Sequence, residues 1–281
     1  MQNALLDMRD LFLQEKQNIY KIIQGEIMMQ IIDFHTHPGN NSTKEFGYDM
    51  TDRLFIEELK RAGITKAFGS AIDLDIMKPG CDWKTVIPKL NSIAWGYHEK
   101  YPDFFIPGIH IHPDFPDISL NELEKYARKG VRLVGELVPY LMGCDTLLSD
   151  GYKELFSACV RLNMVVSLHT TTLAECISIA ESFPELQIVL AHPAYNPEYS
   201  ERLNAVKKHE NLYLDLSGTG IAAYGMLRYG IDTVGKEKLI FGTDFPGYNP
   251  EMYIRSVLYE RLSSDELDAI FWRNAYRLLI E

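Results

Sequence analysis

IIDFHTHPGN, Ile31–Asn40, is an apolar run that ends in two histidines two residues apart. Ile31, Ile32 and Phe34 give it strand character, and in a strand residues i and i+2 share a face. His35 and His37 therefore project side by side, with Asp33 behind them, and Pro38-Gly39 ends the element. Two imidazoles on one face can grip a metal ion. The same spacing also suits ordinary loop or core histidines, so the rest of the chain has to decide.

Seven further strand-like runs follow Ile31–His37: Ala67–Ile72, Phe104–Ile111, Val131–Leu137, Val165–His169, Gln187–His192, Leu212–Leu216 and Leu239–Thr243. Pro107 inside the third cannot donate to a ladder. Between them lie helical patterns at Asp52–Ala62, Ser119–Lys129, Tyr152–Leu162 and Thr172–Phe183, and Ser263–Ile280 reads as a final helix. Ser119 with Glu122, Thr172 with Glu175, and Ser263 with Glu266 match capping boxes. Asn196-Pro197 and Asn249-Pro250 place asparagine at the cap and proline in the first turn. Strands alternating with helices predict a parallel sheet, and eight repeats predict its closure into a (β/α)8 TIM barrel. An open doubly wound sheet would need a glycine-rich phosphate loop after the first strand, which is missing. Residues 1–25 read as an amphipathic helix, which predicts an added N-terminal helical extension over 1–27 ahead of a barrel over 28–281.

Chemistry in such a barrel sits where the strands end. Those ends carry His35 and His37 on strand one, His110 and His112 on strand three, Glu136 on four, His169 on five, His192 on six and Asp244 on eight. In VVSLH, IVLAH and LIFGTD the hydrophobic run leads straight into the polar residue. A carboxylate or imidazole buried at a barrel mouth is costly unless paired or bound to metal, and convergence of His, Glu and Asp compensates it.

With these residues in order, the chain from Ile31 onward resembles the amidohydrolase superfamily. Within it the chain looks like the amidohydrolase-related group that includes aminocarboxymuconate semialdehyde decarboxylase. The markers are DFHTH on strand one, LHT on five, LAHP on six and GTDFP on eight. The resemblance implies that His35, His37 and His169 are metal ligands. Asp244 would bind metal and take a proton from the attacking water. His192 would bind a second metal or polarise the substrate. Glu136 stands where many binuclear members carry a carboxylated lysine, and is similar to the metal-bridging glutamate of some phosphotriesterase-like and deoxyribonuclease-like relatives, which leaves one or two ions open.

The chemistry this predicts is hydrolysis of an amide, ester or lactone by water activated on a divalent ion, zinc first. Non-oxidative decarboxylation on the same metal is the rival within enzymes, and a non-catalytic metal-binding barrel the rival outside them. His110 and His112 share a strand face and either line the substrate pocket or form a rim pair bonded to Asp114 or Asp117. The loops HPAYNPE and FPGYNPE echo each other, so Tyr195 and Tyr248 either touch substrate or pack beneath the helix starts. Arg132, four residues before Glu136, faces either the pocket or the far end of the barrel.

Composition excludes several partners. The 281 residues carry a net charge of −11 without a basic cluster, against nucleic acid or an anionic membrane. Four scattered cysteines without CxxC spacing read as free thiols of a cytoplasmic protein. A small-molecule substrate is the expected partner, with the N-terminal helix a surface available to a homo-oligomer.

Overall fold

The computed structural model describes residues 29–170 and 172–281. Eight parallel strands follow one another around a sheet: β1 (Ile32–Thr36), β2 (Lys66–Gly69), β3 (Phe105–Ile109), β4 (Leu133–Leu137), β5 (Val165–His169), β6 (Gln187–Ala191), β7 (Leu212–Asp215) and β8 (Leu239–Ile240). β8 is short, yet its continuation still meets β1. Phe34 N–H donates to the Phe241 carbonyl at 3.0 Å, Asp244 N–H to that of His35 at 2.8 Å, and Thr36 bridges Phe245. The (β/α)8 barrel that the alternating pattern predicts is the fold, and the expected helix over residues 1–25 lies outside the described residues.

The strands read as continuous apolar runs because both faces are covered. Ile32, Phe34, Phe68, Leu133, Val165, Val189, Tyr213 and Ile240 form one cluster, with Ile106 packed against it. Side chains from all eight strands meet in this way only inside the barrel. Ala275 and Leu279 of the terminal helix join them. The opposite strand faces pack against the helices in a second, larger cluster. Pro107 remains within β3, opposite Gly69. Gly69 has a strict reason: a Cβ there would lie 1.9 Å from the Thr36 carbonyl oxygen.

Two of the expected capping boxes are something else. The helix predicted from Ser119 begins at Pro116, and the Ser119 hydroxyl instead accepts from the His112 amide and donates to its carbonyl. Glu175 is drawn away from the helix start at Thr172: its oxygens accept from the Thr146 hydroxyl at 2.7 Å and the Leu147 amide at 2.8 Å, in the loop after β4. In both cases a tertiary partner outcompetes the local cap. At Ser263 and Glu266 the reciprocal box is present, and Asn249 caps its helix through the Glu251 amide. Asn196 does not cap; it accepts from Ser200 one turn later. No helix among the described residues is long and apolar enough to cross a membrane.

Candidate metal centre

At the end of β1 the two histidine rings are tethered through Nδ1. His35 Nδ1–H donates to Asp215 at 2.8 Å, and His37 Nδ1–H donates to the Ser70 carbonyl at 3.0 Å. These partners assign the tautomers, so both neutral rings turn a bare Nε2 lone pair inward. The two Nε2 atoms are 3.0 Å apart. Lone pairs at that separation repel unless a proton or a metal cation lies between them, so the donor set fits a metal ion.

Glu136, buried at the end of β4, faces both sides of the centre. One oxygen is 2.8 Å from His169 Nδ1 and 3.2 Å from His192 Nε2; the other is 3.4 Å from His35 Nε2 and 3.5 Å from His37 Nε2. Asp244 approaches His37 Nε2 at 3.2 Å. Three overlapping groups of donor atoms could each hold an ion: His35, His37 and Asp244; Glu136, His169 and His192; and His35, His192 and Asp215. Burial alone would raise the Glu136 carboxyl, but His35, His169 and His192 outweigh it and hold it well below the carboxylate range. Burial likewise disfavours a charged His37, yet Asp244 and Glu136 raise it to about 9. The same field that favours a proton on His37 favours a cation in its place.

His192 and Asp244 both have left-handed backbones, φ 66° and φ 62°. A residue with a Cβ populates this region at a cost of about 1 kcal/mol or more, and such residues gather at functional sites. The Asp244 turn is held by its amide on His35. The His192 turn is held by Arg202, whose guanidinium donates to the carbonyls of His192 and Thr170 and so ties the ends of β6 and β5 together.

Strand seven supplies a group that the reading of strand ends missed. Asp215 is fully buried and accepts from His35 Nδ1, the His192 amide at 3.2 Å, and the Ser217 amide and hydroxyl at 2.9 and 2.5 Å. With its lone pairs so engaged, it orients the ring of one donor and the backbone of another. Its signal was present in LYLDLS, where Asp215 falls on the face opposite Leu212, Leu214 and Leu216 inside an otherwise apolar run. Asp33 is also fully buried and accepts from the His35 amide at 3.1 Å and from Thr243, joining β1 to the end of β8. Burial, partly offset by Thr243, raises its carboxyl to about 7.

His110 and His112 are both buried. His110 donates from Nε2 to the Ala71 carbonyl at 2.7 Å, its amide is held by Asn91, and its Nδ1 has no partner among the described residues. Burial lowers the ring to about 4. His112 donates from Nε2 to the Met142 carbonyl, accepts at Nδ1 from the Asp114 amide, and stacks near Trp83 with centroids 5.0 Å apart. Tyr195 and Tyr248 are exposed. Arg132 enters β4 at the end opposite the metal donors. A cleft of about 680 Å³ between Lys236, Trp272, Arg273 and Arg277 also lies away from them, beside the start of β8.

An eight-stranded barrel whose strand ends gather histidines and carboxylates into groups that could hold a metal ion defines the class. The chain belongs to the amidohydrolase family, whose model matches residues 32–279. Members of that superfamily are metal-dependent enzymes, and this chain brings candidate metal-binding residues together. Among similar solved structures is 5-carboxyvanillate decarboxylase from Sphingomonas paucimobilis, 13% identical, covering 89% of this chain and 98% of that one with a TM-score of 0.68. Another is 2,6-dihydroxybenzoate decarboxylase from Rhizobium, 16% identical, covering 89% and 99% with a TM-score of 0.67. A third is the 5-carboxyvanillate decarboxylase of Novosphingobium aromaticivorans complexed with manganese, 14% identical, covering 89% and 96% with a TM-score of 0.66. At these identities the likeness is one of fold. No curated protein sequence matches the chain.

Proposed function

We propose that the protein is a metal-dependent hydrolase that cleaves an amide, ester or lactone bond of a small molecule. The observation that carries this is the position of Glu136. One of its oxygens faces His35 and His37 and the other faces His169 and His192, so this single buried carboxylate would be available to ions on either side. Divalent ions held by these residues, zinc in our reading, would supply a Lewis acid and make water nucleophilic near neutral pH. Asp244 would accept a proton from the attacking water and pass it to the departing nitrogen or oxygen as the carbonyl carbon gains its new C–O bond. In this two-ion reading His192 would be a donor to the second ion rather than a group that polarises the substrate, and the charge developing on the carbonyl oxygen would be offset by the ions. Asp215 and the Ser70 carbonyl keep the His35 and His37 rings aimed.

The second reading is non-oxidative decarboxylation, favoured by the activities named for similar structures. A panel of esters, amides, lactones and aromatic acids incubated in heavy-oxygen water separates the two. Hydrolysis leaves one heavy oxygen in the acid product, whereas decarboxylation releases carbon dioxide from an aromatic acid. An Asp244→Asn variant that turns over its hydrolysed substrate at full rate would contradict the assignment.

A further inference from the structure

Three tyrosines stand in the loops behind three of the metal donors: Tyr140 four residues beyond Glu136, Tyr195 three beyond His192, and Tyr248 four beyond Asp244. They are 61%, 56% and 37% exposed, so part of each ring is open to a ligand. Tyr140 sits edge-on to the His169 ring with centroids 5.3 Å apart. Tyr248 meets Tyr253 at 5.8 Å, and Tyr253 is anchored by donating to the Gly218 carbonyl. Burial, then the charges of Glu136 and Asp244, raise the Tyr140 hydroxyl; burial, then Asp244 and Tyr195, raise that of Tyr248. Both rings therefore stay neutral while facing the field of the reacting carboxylates.

The charge around them is one-sided. The segments that join strand ends to the following helices (37–51, 70–82, 110–115, 138–149, 170–172, 192–197, 216–225 and 241–249) contain no arginine. Asp244 and the helix-capping Asp82 aside, they carry Glu45, Asp49, Asp73, Asp75, Asp114 and Asp145 against two lysines, Lys44 and Lys78. Lys44 is already opposite Asp75 at 3.8 Å. The ions themselves and the Arg202 guanidinium at the ends of β5 and β6 are positive, but the loops around the mouth are net acidic and favour a cationic group there over an anionic one.

We propose that the substrate carries a cationic group, an ammonium or substituted ammonium, which is held against the faces of Tyr140, Tyr195 and Tyr248 while its ester or amide carbonyl lies at the metal centre. The reaction half of this statement rests on the hydrolase reading; the recognition half rests on the aromatic rings and the charge around them. A cation over an aromatic face is favourable, and more so as water is excluded.

The test is calorimetric binding of benzyltrimethylammonium to the metal-loaded protein, beside benzyl alcohol and benzenesulfonate. The ammonium compound should bind tightest, about tenfold or more tighter than the alcohol, and should weaken as salt is raised. Tyr195→Leu and Tyr248→Leu should each weaken it by about two- to fivefold, whereas Tyr195→Phe and Tyr248→Phe, which keep the ring, should not. Ammonium binding no tighter than the alcohol, tighter binding of the sulfonate, or leucine variants with unchanged affinity would overturn the proposal. Binding is read without turnover. A protein that binds the ammonium yet hydrolyses nothing would contradict the hydrolase reading alone, and an active hydrolase indifferent to the ammonium would contradict this inference alone.

Discussion

Replacing Asp215 by asparagine keeps the shape of the side chain and reverses one hydrogen bond. In the native protein a carboxylate oxygen accepts from His35 Nδ1–H at 2.8 Å, which leaves Nε2 bare and aimed at His37 Nε2, 3.0 Å away. In Asp215→Asn the new side-chain amide would present N–H groups to that Nδ1, and the ring would answer by moving its proton to Nε2. That proton then lies on the line to His37, where a cation is expected. The variant thus exchanges a metal for a hydrogen bond. Loss of such a supporting carboxylate typically costs 10- to 100-fold in metal affinity, about 1.4–2.7 kcal/mol. The remaining acceptor oxygen still serves the His192 and Ser217 amides, so the metal-free protein should unfold within about 1 kcal/mol of wild type. Asp215→Ala, by contrast, leaves a buried N–H unsatisfied and should cost the metal-free protein a further 1–3 kcal/mol, roughly. Competition with a chromophoric chelator measures the affinity, and urea unfolding of the stripped protein measures the stability. Unchanged metal affinity in Asp215→Asn would refute the reasoning. So would a stability loss in the stripped variant as large as the affinity loss, which would make Asp215 a structural residue only.

His110 offers a pH test. Burial holds its ring at about 4 against 6.5 for an exposed imidazole, so the unfolded chain takes up the proton first. Stability is complete above about pH 6.5 and falls toward about pH 4 at about 1.4 kcal/mol per unit, about 3 kcal/mol in all. His110→Gln should lose about 2 kcal/mol of the difference between urea unfolding at roughly pH 7 and 5; a pH dependence equal to wild type would show that the ring titrates normally. Gly69→Ala forces a Cβ to within 1.9 Å of the Thr36 carbonyl oxygen and should destabilise by about 3 kcal/mol or prevent folding, whereas Gly63→Ala, with open space around it but a φ of 92°, should cost only about 1 kcal/mol. Thermal unfolding of both variants checks the ordering, and a Gly69→Ala variant as stable as Gly63→Ala would contradict the close approach of β1 and β2.

The barrel was legible because its strands are buried on both faces and so spell apolar runs that break off at polar residues. Strand eight is the instructive case. LIFGT reads as a strand, yet only Leu239–Ile240 pair regularly with β7, and the chain then runs on irregularly to bring Asp244 to β1. Residues that point into the centre from strand termini were visible as breaks in hydrophobicity. Asp215 was not, because it lies within its run and is followed by Leu216. Ser119 and Glu175 were misread for a related reason: a capping motif is a local pattern, while His112, Thr146 and Leu147 reach those side chains from distant segments. The left-handed backbones of His192 and Asp244 leave only a weak mark in residue type: histidine and aspartate enter that region more often than most residues with a Cβ, yet far less often than glycine.

The central claim is that Glu136 is shared between two ions. Counting metal per chain in purified protein after reconstitution, beside Glu136→Gln, tests it most directly. The account predicts two ions in the wild type and one in the variant, with hydrolysis lost alongside the second ion. A single ion that survives the substitution unchanged, or no bound metal at all, would contradict it.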